Sequence, residues 1–310
     1  MMNGKIGKIQ SHPDAYKVNF LFYNRARDAM FDIVNELFSE GYRDIYIPGY
    51  IGWSPKEGSG IFDPLNAIEG LGRHYYQMTK DLTVNLESVR EQLKEHSILL
   101  VVNYFGFRDP KIRELIEVAR FKDCIVIEDN AHGFYTYFCN GSVGADITFF
   151  SLHKMLPFQQ GGGLMIENNR AYSLHNLEET PAFNPFVYNY NEIAKIRLEN
   201  YKALLELLEQ YHDYFEPLRG IDYLNDNIPQ TFPVVIKQGN RDKVYELMND
   251  AGYGVVSLYH TMIEELQNNQ HAHALWLSKR IMNLPVHQDV DRNFYGEMVE
   301  TLKQSCIETR

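Results

Sequence analysis

The chain has 310 residues, 45% hydrophobic and 23% charged, with 30 basic against 41 acidic side chains and a net charge of −11. That is an ordinary globular composition, long enough for one large or two modest domains. The acidic balance excludes a general nucleic-acid surface, which needs a basic patch to displace counterions, but not a local basic pocket for a phosphate.

No stretch approaches the roughly 18 uninterrupted apolar residues of a membrane span, and residues 1–14 are polar, without the apolar core of a signal peptide. The three cysteines, Cys124, Cys139 and Cys306, lie far apart and form no CxxC pair. A reducing, cytoplasmic setting is therefore expected, with the thiols buried or incidental.

From the N-terminal side, residues 26–40 put Met30, Ile33, Val34 and Leu37 on one helical face, with Gly41 in the place of a stop. Ile45-Tyr46-Ile47 then reads as a strand closed by Pro48-Gly49. Residues 86–95 and 111–121 read as helices, and 97–104, 124–128, 145–151 and 163–167 as apolar strands. Strands separated by helices of about ten residues indicate βαβ units and a mostly parallel sheet. Ligands of such sheets sit outside the carboxyl ends of the strands, where Asn103, Asp129 and Ser151 fall.

A long charged helix over 191–215 leads to a second, smaller unit. It has a strand at 230–237 and helices at 241–251, near 271–282 and near 291–304. The expected organisation is a large domain over 1–205 and a small α+β domain over 206–310. His271 and His273 are two apart, the wrong spacing for one helix face, so a metal site is not expected there.

The chemistry concentrates in residues 124–167. One strand delivers Asp129 to a ligand edge, a second delivers Ser151 and Lys154, and Gly161-Gly162-Gly163 turns the chain into a third. Pyridoxal 5′-phosphate (PLP) needs a lysine amine for its aldehyde, a carboxylate to keep its ring nitrogen protonated, and donors around its phosphate. The segment offers the first two and part of the third. Spacing alone leaves the plain alternatives open: Asp129 as a helix cap, Lys154 as a solvated lysine, the glycines as any tight turn.

The same segment resembles the core of the DegT/StrS-type aminotransferases, which aminate nucleotide-linked keto sugars. The resemblance rests on Glu128-Asp129-Asn130-Ala131-His132, on Gly141-Ser142-Val143-Gly144-Ala145-Asp146, and on Ser151-Leu152-His153-Lys154 with the glycine run. Weaker echoes are Val101–Gly106, Ala26–Met30, Arg197 with Asn200-Tyr201, and Leu284-Pro285-Val286-His287, so the likeness spans about 20 to 305.

It implies a fold type I architecture, α/β, with a mostly parallel central sheet covered by helices on both faces and a smaller C-terminal α+β domain. It implies PLP as cofactor, an amino-acid donor such as glutamate, a keto-sugar acceptor in surface-polysaccharide or natural-product synthesis, and a homodimer. Carried over by position, Lys154 holds the cofactor aldehyde as a Schiff base and shuttles the proton. Asp129 pairs with the ring nitrogen, and His132 stands where the family has a glutamine near the ring hydroxyl. Ser151 contacts the phosphate, with Ala26 and Arg27 presenting amides at a helix N-terminus. Trp53 and Tyr50 are the candidates for stacking on the ring, although the family aromatic aligns nearer Gly52.

The chain departs from the pattern in its short length, in Ala26 where the first phosphate loop has glycine, and in a compressed loop around 169–195. Those departures keep two rivals in view: a PLP enzyme for a small non-sugar substrate, and a family member that binds ligand or partner without turnover.

Overall fold

The computed structural model describes residues 20–179, 181 and 184–310. The polar segment 1–14 lies outside these residues, and the loop around 169–195 lies partly outside them.

The large unit runs β1 (Phe20–Tyr23), α1 (Ala26–Ser39), β2 (Asp44–Pro48), α2 (Phe62–Asn66), β3 (Gly72–Tyr76), α3 (Leu86–Gln92), β4 (Ile98–Val102), α4 (Ile112–Phe121), β5 (Ile125–Asp129), α5 (Phe134–Asn140), β6 (Ile147–Ser151) and β7 (Gly162–Ile166). Its seven strands form one sheet in the order β1-β7-β6-β5-β4-β2-β3. The run from β6 to β3 is parallel, and β7 is antiparallel to both its neighbours. The central strands β4, β5 and β6 are buried at every position. Parallel strands covered on both faces read as continuous apolar runs for this reason, rather than alternating.

After the sheet come α6 (Tyr190–Leu208), β8 (Phe215–Pro217), β9 (Thr231–Ile236), α7 (Arg241–Asp250), α8 (Ala272–Ser278), β10 (Ile281–Pro285) and α9 (Tyr295–Glu308). The three strands form a small antiparallel sheet with β9 in the middle. The two sheets draw on separate stretches, with α6 between them, and we propose a division near residue 205.

The Arg197, Asn200, Tyr201 set on α6 anchors the second half of the chain. Arg197 Nη1 donates to the carbonyls of Pro229 and Gln230, Asn200 Nδ2 to those of Val286 and His287, and Tyr201 Oη to that of Arg219. All three side chains are buried, so these bonds satisfy groups that would otherwise be costly.

Several elements differ from the sequence reading. The helix expected near 271–282 stops at Ser278, because Ile281–Pro285 pairs with β9 as an outer strand instead. α3 ends at Gln92. β1, β3 and α5 were not expected. β3 (GRHYY) is a polar edge strand, and α5 (FYTYFCN) is aromatic on most sides, so neither shows a clean period. α5 belongs to an aromatic cluster with Phe20, Phe150 and Tyr190, where part of the high Phe and Tyr content goes. His271 is a buried side chain beside Tyr75. Among the described residues no cluster of His, Cys, Asp or Glu could hold a metal, and no helix is long and apolar enough to cross a membrane.

Candidate active site

A cavity of about 550 Å³ opens at the carboxyl ends of β5 and β6, beside the N-terminus of α1. Asp129, His132, Ser151, Lys154, Ala26, Arg27 and Trp53 all line it. Seven of the eight residues singled out from the sequence thus converge on one space, although they come from four separate stretches of chain.

Tyr50 does not join them. It is fully buried, with its ring against Tyr104 and Tyr259 and its carbonyl accepting from Tyr104 Oη. It is a core residue because β2 ends just before it and turns its ring inward, so the expectation that it stacks on a cofactor ring is corrected. Trp53, three residues on, is 41% exposed at the cavity wall.

The floor is tightly specified. β5 carries Asp129 to its last position, and the N–H of Ala131 donates to Asp129 Oδ1 at 2.8 Å. Beside it, Asn103 Nδ2 bridges Glu128 Oε1 and Asn130 Oδ1, each at 2.7 Å, and Arg108 Nε lies 3.5 Å from Glu128. These buried contacts hold the end of β5 from behind. β6 ends at Ser151, and one short turn, Leu152–Lys154, brings Lys154 over the floor. Lys154 Nζ is 3.0 Å from His132 Nε2, and the N–H of Phe105 donates to His132 Nδ1 at 3.2 Å.

Burial governs the protonation of these groups. It pushes the Asp129 carboxyl up to about 6, against the pull of Lys154 and the Ala131 N–H. It lowers Lys154 below the usual lysine range, with Asp129 and Glu57 opposing. Lys154 is open to the cavity, but the cavity walls strip away most of the water an ammonium would need. His132 is driven well below its ordinary range by burial and then by Lys154. Perturbed groups gathered in a cleft are the pattern expected of a reactive site.

At one end the floor meets α1. Arg25 is its N-cap residue and supplies no side-chain cap, and its own guanidinium pairs with Asp28. The first amides of a helix precede its hydrogen-bond ladder and carry partial positive charge, which suits an anion. Ser151 Oγ adds a donor from the β6 side. The backbone of β7 passes close behind: a Cβ on Gly162 would stand 2.4 Å from the Arg25 carbonyl carbon and 2.6 Å from the Ala26 nitrogen. That position of the glycine run is therefore required by the close approach.

The roof comes from two segments distant in sequence. Residues 51–61 meet 257–263 through Trp53 N–H to Thr261 O at 2.9 Å and Ile263 N–H to Ile51 O at 3.1 Å. This brings in residues not singled out from the sequence: Glu57 and Tyr259. Tyr259 packs against His132 and Phe105. His153, from the turn after Ser151, also lines the cavity and stands within the sequence motif around Lys154, whereas Tyr259 stands in a stretch without any motif.

An amine, a nearby carboxylate and helix-start amides with a serine hydroxyl line one cavity and match the three needs of PLP, so the residues present fit that cofactor. No protein-family profile matches the chain, and no curated protein matches it by sequence. Solved structures do. The GDP-4-keto-6-deoxy-D-mannose-3-dehydratase of E. coli, solved with bound hydrated PLP, is 17% identical, with 93% of this chain and 87% of that one aligned at a TM-score of 0.67. Helicobacter pylori PseC, an aminotransferase involved in pseudoaminic acid biosynthesis, is 14% identical over 93% and 87%, at 0.70. An aminotransferase from Psychrobacter cryohalolentis is 13% identical over 94% and 87%, at 0.69. With its seven-stranded, mostly parallel sheet and near-complete coverage of these chains, the protein has the fold type I architecture of PLP-dependent enzymes.

Proposed function

We propose that this chain is a PLP-dependent aminotransferase that moves an amino group from an amino acid, glutamate, to a nucleotide-linked keto sugar. The observation that carries the reading is the convergence of Lys154, Asp129 and the start of α1 on one cavity. The likeness to the dehydratase, whose name gives a nucleotide-linked keto sugar as substrate, and to PseC, an aminotransferase of pseudoaminic acid biosynthesis, supports the sugar acceptor.

When bound, PLP supplies an electron sink for the carbon that loses or gains a proton. The chain's own residues do the rest. Lys154 Nζ holds the aldehyde end and moves the proton at the reacting carbon as general base and acid, a role suited to an amine whose pKa is lowered by burial. Asp129 would keep the ring nitrogen protonated. The amides of Ala26 and Arg27, with Ser151 Oγ, hold the phosphate. Trp53 walls the ring side of the cavity, in place of the buried Tyr50. By the same resemblance the working form is a cytoplasmic homodimer, in the service of surface-polysaccharide or natural-product synthesis. The resemblance to the DegT/StrS-type family, some of whose members carry histidine in place of the lysine and act as dehydratases, implies amine transfer for a chain with Lys154.

The test is a half-reaction. Glutamate added to the PLP-loaded protein should bleach its visible band and release 2-oxoglutarate one for one. A nucleotide-linked keto sugar should then restore the band. Bleaching restored only by small keto acids would replace the sugar reading with one for a small substrate. PLP binding without 2-oxoglutarate release would leave a binding protein.

A further inference from the structure

The contacts around His132 fix more than its position. Imidazole has two nitrogens, and in its neutral form one donates and the other accepts. The Phe105 N–H points at His132 Nδ1, so Nδ1 must be the acceptor and the ring proton must sit on Nε2. That leaves an N–H directed at Lys154 Nζ, 3.0 Å away. An ammonium has donors only. Facing Nε2–H, it would leave two donors opposed, or else force the proton onto Nδ1 and oppose that to the Phe105 N–H.

We propose that Phe105 locks His132 as the Nε2–H tautomer, and that His132 acts as a one-way donor that holds Lys154 as the free amine. His132 is thus a positioning residue for the protonation state of Lys154. A glutamine in the same place has both a donor and an acceptor end and could serve the amine or the ammonium alike.

The backbone supports this assignment. Phe105 has φ 60° and ψ 19°, a left-handed conformation unfavourable for a bulky residue. It is held there from both sides: its N–H reaches His132, its carbonyl accepts from Gln230 N–H at 2.8 Å, and its ring lies nearly parallel to the imidazole. Strain of this kind persists where the surroundings over-determine it, and it gathers at functional sites.

The other groups facing the pair divide. Asp129 and Glu57 draw Lys154 toward the ammonium, while burial and Arg27 oppose it. His153 and Lys154 both oppose a charge on His132, and Tyr259 packs against its ring. The significance for catalysis rests on Lys154 being the aldehyde-holding lysine, but the protonation pattern can be read in the cofactor-free full-length chain.

The experiment labels histidine and phenylalanine with 15N. A coupling across the hydrogen bond between the Phe105 amide nitrogen and one imidazole Nδ1 assigns His132 without any variant. The shifts should show unprotonated Nδ1 and protonated Nε2 at neutral pH. A protonated Nδ1, or a cationic ring, would overturn the proposal. In parallel, pulse acetylation with acetic anhydride across pH, read at the Lys154 peptide, gives the apparent pKa of that amine. His132→Gln should raise it by about one unit, a tenfold smaller free-amine fraction well below that pKa. An unmoved value in a folded His132→Gln protein would overturn the role of the tautomer even if PLP still binds. Failure of PLP to bind, with the tautomer as stated, would instead count against the cofactor assignment.

Discussion

The floor and the roof of the cavity are built on opposite plans. On the floor, Asp129, His132 and Ser151 are nearly sealed from solvent, and their side chains are bonded to backbone groups or to the side chains of His153 and Lys154. In the roof the backbone is pinned, through Trp53 to Thr261 and Ile263 to Ile51, while the side chains of Trp53, Lys56, Glu57 and His260 stand exposed. Chemistry that moves a proton needs atoms held to within a fraction of an ångström, which buried, bonded side chains provide. Recognition needs a steady frame on which exposed side chains differ from one enzyme to the next. On the proposed function the floor is the reacting part and the roof the selecting part.

If so, floor changes should cost turnover and roof changes should cost selectivity. The largest effect is expected at Asp129. Asp129→Asn should lower turnover by roughly two orders of magnitude or more, measured as the glutamate half-reaction.

The same change should stabilise the cofactor-free protein. The folded pKa of about 6 lies above the ordinary aspartate value of 3.8, so the folded state binds the proton more tightly. This group's favourable contribution is complete below about pH 4 and is lost as pH rises through 6. At pH 8 the buried carboxylate therefore costs about 3 kcal/mol at most. Denaturation at pH 8 should show Asp129→Asn the more stable by about 1–3 kcal/mol, with the gap closing toward pH 4. A variant less stable at pH 8 would mean that the carboxylate is already compensated without cofactor.

Gly162→Ala comes next. Its Cβ would press on the Arg25 and Ala26 backbone, costing about 1–3 kcal/mol by overpacking. PLP affinity should fall with it, because the α1 amides move; titration of the visible band would show this. Unchanged affinity would separate α1 from the phosphate. Trp53→Ala, in the roof, should weaken PLP by no more than about tenfold and should change KM for the acceptor more than the rate of the glutamate half-reaction. A loss in that half-reaction as deep as that of Asp129→Asn would erase the distinction between floor and roof.

The floor was legible in the sequence because its signal is local. Asp129 ends an apolar strand, small residues follow it, and Lys154 stands three residues after the end of the next strand. The same locality made the central strands and α1 readable. The roof depends on backbone pairing between residues some two hundred positions apart, and no local pattern announces it: Tyr259 and His260 sit in an unremarkable stretch. Tyr50 was misread for a related reason, since an aromatic after a strand points inward or outward according to the turn that follows. The helix expected near 271–282 runs into the start of β10 because only the pairing with β9 makes Ile281–Pro285 a strand. The contact of Phe105 with His132 was equally invisible, because it joins the ends of neighbouring strands.

Above all, the proposed function needs Lys154 to be the residue that holds the cofactor. Incubating the protein with PLP, reducing with borohydride and mapping the pyridoxyl group by peptide mass spectrometry tests it directly. One label is expected, on Lys154, and a Lys154→Ala protein should carry none there and show no visible band. Label spread over surface lysines, or an undiminished band in Lys154→Ala, would contradict it.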